Sequence, residues 1–79
     1  MEYDMSKVEE AVLALLGVFE FDNGRVWKRY DFDTMDGLHE KGLVTEPRSK
    51  RESVELTDEG LRRAKELAAR YFGMPANSR

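Results

Sequence analysis

The stretch that most constrains this chain is residues 38–64, LHEKGLVTEPRSKRESVELTDEGLRRA. An amphipathic segment ends there on Gly42, and glycine accepts the left-handed conformation that a helix C-terminus needs. Residues 43–46 and 53–56 then read as two short strands, with Val54 and Leu56 pointing inward and Ser53 and Glu55 outward. Pro47 leads into a strongly basic tip, Arg48-Ser49-Lys50-Arg51. Thr57 follows as a helix N-cap, with Asp58 and Glu59 in the first turn, where the macrodipole favours them. Helix, basic hairpin and helix, in that order, predict an α+β domain that binds rather than catalyses.

At 79 residues the chain suits one domain with one core. We read a single domain over residues 1–73 and a disordered tail over 74–79. With no cysteine, neither a disulfide framework nor a thiolate metal site can support so small a core. The longest apolar run, from Ala11 to Phe19, has nine residues, against the roughly 20 that span a bilayer. The start, MEYDMSKVEE, is acidic where a signal peptide would be positive, so the expected location is cytoplasmic.

Ser6 and Glu9 have the spacing of a capping box, so the first helix is expected to begin at Asp4 or Ser6. Val8, Ala11, Val12, Leu15, Leu16 and Phe19 follow the i, i+3, i+4 rule and are the expected buried stripe. Leu13, Ala14 and Val18 are apolar too, so a second face is left over. Asp22-Asn23-Gly24 is a turn signal. Residues 25–30, RVWKRY, suit either a short strand or a single helical turn. Asp33 or Asp31 can cap the second helix, in which Met35, Leu38 and His39 share a face. The last helix carries Leu61, Ala64, Ala68, Tyr71 and Phe72 as its stripe, with Leu67 beside them.

The pattern Met35, Leu38, Gly42, Leu43, Val44 resembles winged-helix regulators, and Leu56, Thr57, Gly60, Leu61, Ala64 resembles a companion motif of the PadR-like and MarR-like groups. The whole chain, with its MEYD start, AVLALL helix and WKRYDFD segment, also looks like a small bacterial family of domains of unknown function, from about Met1 to Phe72. The resemblance implies a winged-helix-like fold of three main helices and a β-hairpin wing. One departure stands out. Only thirteen residues, 20–32, lie between Phe19 and Asp33, too few for a turn, a strand and a full supporting helix. The helix-turn-helix is therefore expected to be truncated.

Charge is divided along the chain. Residues 1–22 hold six acids and one base, and residues 23–51 hold seven bases and five acids. Arg48, Lys50 and Arg51 form a candidate contact for a nucleic-acid backbone, extended by Arg25, Lys28 and Arg29. The helix behind them exposes Asp33, Asp36 and Glu40, which a major-groove reader would not carry. Trp27, Tyr30 and Phe32 interleave with cations as a stacking platform would. Their simpler role is to fill the space of the missing helix, with Tyr30 the one left exposed. His39 is the only histidine, and no ligand spacing, nucleophile or phosphate loop accompanies it. No catalytic residue, metal site or cofactor is expected.

Two functions follow as expectations. The first is a regulator or accessory factor that contacts duplex DNA through its basic wing. The second is a protein-interaction or dimerisation module that does not bind DNA. The surplus apolar residues Leu13, Val18, Leu67 and Tyr71 are the expected interface of a homodimer.

Overall fold

The computed structural model describes residues 1–75. Its elements run α1 (Met5–Phe19), β1 (Arg25–Trp27), α2 (Phe32–Glu40), β2 (Ser53–Glu55) and α3 (Asp58–Phe72). β1 and β2 pair antiparallel, with Val26 opposite Val54. Val44 adds a single bridge to Leu56, and the Thr45 amide donates to the Glu55 carbonyl at 2.8 Å. Three helices and a small antiparallel sheet make an α+β domain whose layout is compatible with a winged helix.

Local chemistry sets the ends of these elements. Asp4, not Ser6, caps α1, its side chain accepting from the Ser6 amide at 3.0 Å. Asp31, not Asp33, caps α2, and both the amide and the hydroxyl of buried Thr34 donate to its carboxylate at 3.1 Å. At the other end Gly42 has a φ of +74°. The Leu43 amide donates to the Leu38 carbonyl and the Gly42 amide to that of His39, the double closure of a Schellman motif. Thr57 caps α3 as expected, accepting from the Gly60 amide at 3.0 Å. Its hydroxyl donates to the Gly42 carbonyl at 2.6 Å. One side chain thus joins the end of α2 to the start of α3.

Residues 25–27 are a strand, so residues 28–31 hold no helix. The segment before them closes in a three-residue turn. Phe21 and Arg25 exchange both backbone hydrogen bonds at 2.8 Å, while Asp22, Asn23 and Gly24 all take positive φ. The truncation expected from the length of this segment is realised. The wing is looser than expected, because residues 44 and 56 share only one bridge and β2 spends its pairing on β1.

The core contains Leu13, Leu16, Val26, Met35, Leu38, Val44, Val54, Leu56 and Leu67. α1 and α3 form the most extensive pair of elements. They meet at small residues, because a side chain at Gly17 would run into the backbone carbonyl of Ala64. This contact corrects the expected face of α1. Leu13, Ala14, Leu16 and Gly17 are buried, whereas Phe19 is 62% exposed. Nearly every position from 11 to 19 is apolar, so periodicity cannot choose among faces. The glycine against α3 does. Leu13 (1% exposed) and Leu67 (5% exposed) are accordingly core residues and not a dimer interface.

The aromatic residues need a second correction. Trp27 is 46% exposed and Phe32 75% exposed, so neither plugs the core. Tyr30 is the one that packs against it. Trp27 lies beside Phe21, ring centroids 4.9 Å apart. Strand alternation explains the pattern: Val26 takes the inward position of the three-residue β1, and its neighbour Trp27 must face out.

A polar clip ties the end of α1 to α3. Lys65 Nζ donates to the Gly17 carbonyl at 2.9 Å and pairs with Glu20 Oε1 at 3.0 Å. The Gly24 amide donates to Glu20 Oε2 at 2.6 Å. The Lys65 hydrogen bond first, and the Gly24 amide second, hold the Glu20 carboxyl below its ordinary pKa.

Three outcomes are expected. Glycine to alanine in a helix ordinarily gains up to about 1 kcal/mol, but Gly17→Ala should lose about 1–3 kcal/mol because two helices must part to admit the methyl. Urea denaturation with an unchanged m-value checks this. Trp27→Ala should cost about 1–2 kcal/mol, well short of the ~3–5 kcal/mol of a core tryptophan. A carboxyl with a lowered folded pKa adds stability above its unfolded value, about 4.3, and loses it as pH falls through the folded one. Acid melts below about pH 5 should therefore destabilise the wild type more steeply than Glu20→Gln.

Candidate interaction surface

The six cations expected to form one basic patch have separate occupations. Arg48 reaches back to α2 and pairs with Asp36 at 2.5 Å, and that carboxylate is the main reason its proton affinity is raised. Lys28 Nζ donates to the carbonyls of Pro47 (2.8 Å) and Ser49, holding the loop against the sheet. Arg25 lies 4.0 Å from Glu55, and Arg29 lies 3.8 Å from Glu52. The Arg29 guanidinium also sits 5.4 Å from the centroid of the Trp27 ring. Among the described residues only Lys50 and Arg51 of the six form no ion pair. Four of the cations therefore spend their charge inside the fold, although exposed pairs of this kind contribute only about 0–1 kcal/mol.

His39 is a structural residue. Its Nδ1–H donates to the Val44 carbonyl at 3.0 Å, and Nε2 faces Glu46 at 3.6 Å. Among the described residues no three His, Asp or Glu side chains gather as a metal site would require.

The more coherent surface is apolar. Met5, Val8, Val12, Leu15 and Phe19 recur at spacings of three and four along α1 and so share one face. Met5 and Phe19 are exposed, and the three between are half-buried. No charged residue falls on this stripe. At its far end Phe19 lines a cleft of about 280 Å³ with Leu16, Val26, Trp27, Arg29 and Tyr30. Arg29 and Tyr30 also border a second, broader cleft of about 460 Å³, which reaches Phe32, Lys50 and Arg51. Of the expected interface residues, Val18 and Tyr71 are exposed, and Tyr71 Oη donates to Glu10 across the two helices at 3.3 Å. The stripe was visible in the sequence as a periodic apolar face, but it was taken for the buried one.

Comparison with known proteins agrees with the compactness of this unit along the chain. No solved structure matches. An uncharacterized protein, y4hR, of Sinorhizobium fredii (strain NBRC 101917 / NGR234) is 49% identical over 72 residues, covering 91% of this chain and 97% of the relative. The model of a domain of unknown function, DUF6429, matches residues 4–74. That span takes in all five elements, and the chain belongs to the DUF6429 family.

Proposed function

We propose that this protein is a non-enzymatic protein-interaction module that self-associates through the exposed apolar surface at α1. One observation carries the reading: the charge-free stripe from Met5 to Phe19 runs into an aromatic cleft, and neither is covered by the rest of the chain. Single exposed apolar residues are ordinary, whereas a contiguous patch marks an interface. The acidic outer face of α2 supports the same reading, since Asp33 and Glu40 stand where a DNA reader would need donors.

A second reading rests on Lys50 and Arg51, which are exposed at the wing tip beside Phe32. In it the module contacts a nucleic-acid backbone, as the resemblance to PadR-like and MarR-like regulators would imply. Two wings on one dimer would let weak contacts act together.

Sedimentation at micromolar concentration should show about twice the mass of the 9.2 kDa chain, and Phe19→Ser should return it to one. Anisotropy with mixed duplex DNA across a salt series separates the readings. The module reading expects little binding, whereas a steep loss of affinity with salt that disappears in Lys50→Ser/Arg51→Ser would favour the second.

A further inference from the structure

The exposed segment before α1 has no contact that explains it. Residues 1–4 are extended, and Met1 and Tyr3 alternate with Glu2 and Asp4 so that one edge is apolar and the other acidic. Met1 and Tyr3 are almost fully exposed or largely so. At the other end of α1 lies the converse surface, an apolar cleft with Arg29 on its rim and Lys50 and Arg51 beyond. The two are complementary but cannot meet within one chain, because a 15-residue helix holds them about 22 Å apart.

The stripe between them is symmetrical. Met5, Val8, Val12, Leu15 and Phe19 are spaced three, four, three and four, equally about Val12 once the helix is reversed. A two-fold axis at Val12 would set Met5 on the partner's Phe19 and Val8 on the partner's Leu15. The same operation would carry each acidic arm to the partner's cleft.

Resting on the self-association reading above, we propose that the occupant of this surface is a second copy of the chain. The two α1 helices pack antiparallel about Val12, and residues 1–4 of each chain lie across the cleft of Phe19, Trp27, Arg29 and Tyr30 of the other. Met1 and Tyr3 face the aromatic wall, and Glu2 faces Arg29. Charge favours this occupant, since the arm belongs to the most acidic third of the chain and the cleft to the only basic one. Area agrees with it. The exposed fractions of Tyr3, Phe19 and Trp27 amount to roughly 350 Å² per chain, close to half of the ~800 Å² that a standard interface covers on each partner. Met1, Met5 and the valines supply the remainder.

The chain has no cysteine, so single introduced thiols report the arrangement without background. Val12→Cys should form a disulfide-linked dimer under mild oxidation, because the axis brings the two Cα atoms within the ~7 Å that a disulfide tolerates. Val8→Cys and Leu15→Cys should each remain unlinked alone and cross-link when mixed; linkage of each alone with none in the mixture would mean parallel packing and overturn the proposal. Glu2→Lys and Arg29→Glu should each weaken the dimer about fivefold and restore it when the two variants are mixed or combined. A dimer that none of these thiols cross-links overturns this arrangement and leaves the interaction reading standing. A monomer at 100-fold the concentration at which sedimentation is first measured, roughly 100 μM, overturns both.

Discussion

The close approach of α1 and α3 at Gly17 and Ala64 governs the rest of the molecule. A bare glycine lets a helix carbonyl come near where a side chain would stand, and that closeness fixes the rotation of α1 about its own axis. Leu13 and Leu16 turn into the core as a result, and the Met5–Phe19 stripe turns away from it. Lys65 reinforces the contact by donating to the Gly17 carbonyl, one of the acceptors that the end of α1 would otherwise leave to water. A second bare position, Gly60, lies under the Leu43 carbonyl and lets the start of α3 sit against the strand-like segment after α2. The domain is small because its helices touch through backbone at these points rather than through large side chains.

Features decided within a few residues could be read in the sequence. Gly42, Leu43 and Leu38 together specify a helix end, and Thr57 with two acids specifies a helix start. Alternation placed Val54 and Leu56 inside correctly. Features decided by competition could not be read. Asp4 and Ser6 are both good caps, and only the geometry of the first turn separates them. Every face of α1 after residue 11 is apolar, so the buried one depends on where α3 lies. Trp27 looked like core because tryptophan usually is, but a three-residue strand has one inward position and Val26 holds it. The candidate site failed in the same way: six cations are obvious in a sequence, while Asp36 beside Arg48 and the loop carbonyls around Lys28 exist only after folding.

The missing supporting helix and the open cleft are two aspects of one fact. Thirteen residues between α1 and Asp33 supply a tight turn, a short strand and an extended link, with nothing left to lay across Leu16, Val26 and Tyr30. In a full winged helix that space would be packed by the chain itself. Here it stays open and is walled by Phe19 and Trp27. The same shortening brings the wing loop close enough to α2 for Arg48 to reach Asp36 and for Lys28 to hold the loop. Losing a helix therefore removes the geometry of a base reader, consumes part of the wing's charge internally, and leaves an apolar opening. All three changes move the fold away from reading DNA and toward holding a polypeptide.

Size makes that opening more than a spare surface. A chain of this length hides only roughly 60–65% of its unfolded area, and domains in this range retain a narrow margin of stability. No disulfide can widen the margin here, since the chain has no cysteine. Leaving Phe19, Trp27 and Phe32 in water gives up burial that a larger fold would use. A partner that covers them binds the folded state and not the unfolded one, so covering adds to stability by mass action. Association and folding are then linked through the same residues. Under the proposed antiparallel pairing the linkage is direct, because the half-buried Val8, Val12 and Leu15 belong at once to the outer face of α1 and to the edge of its own core.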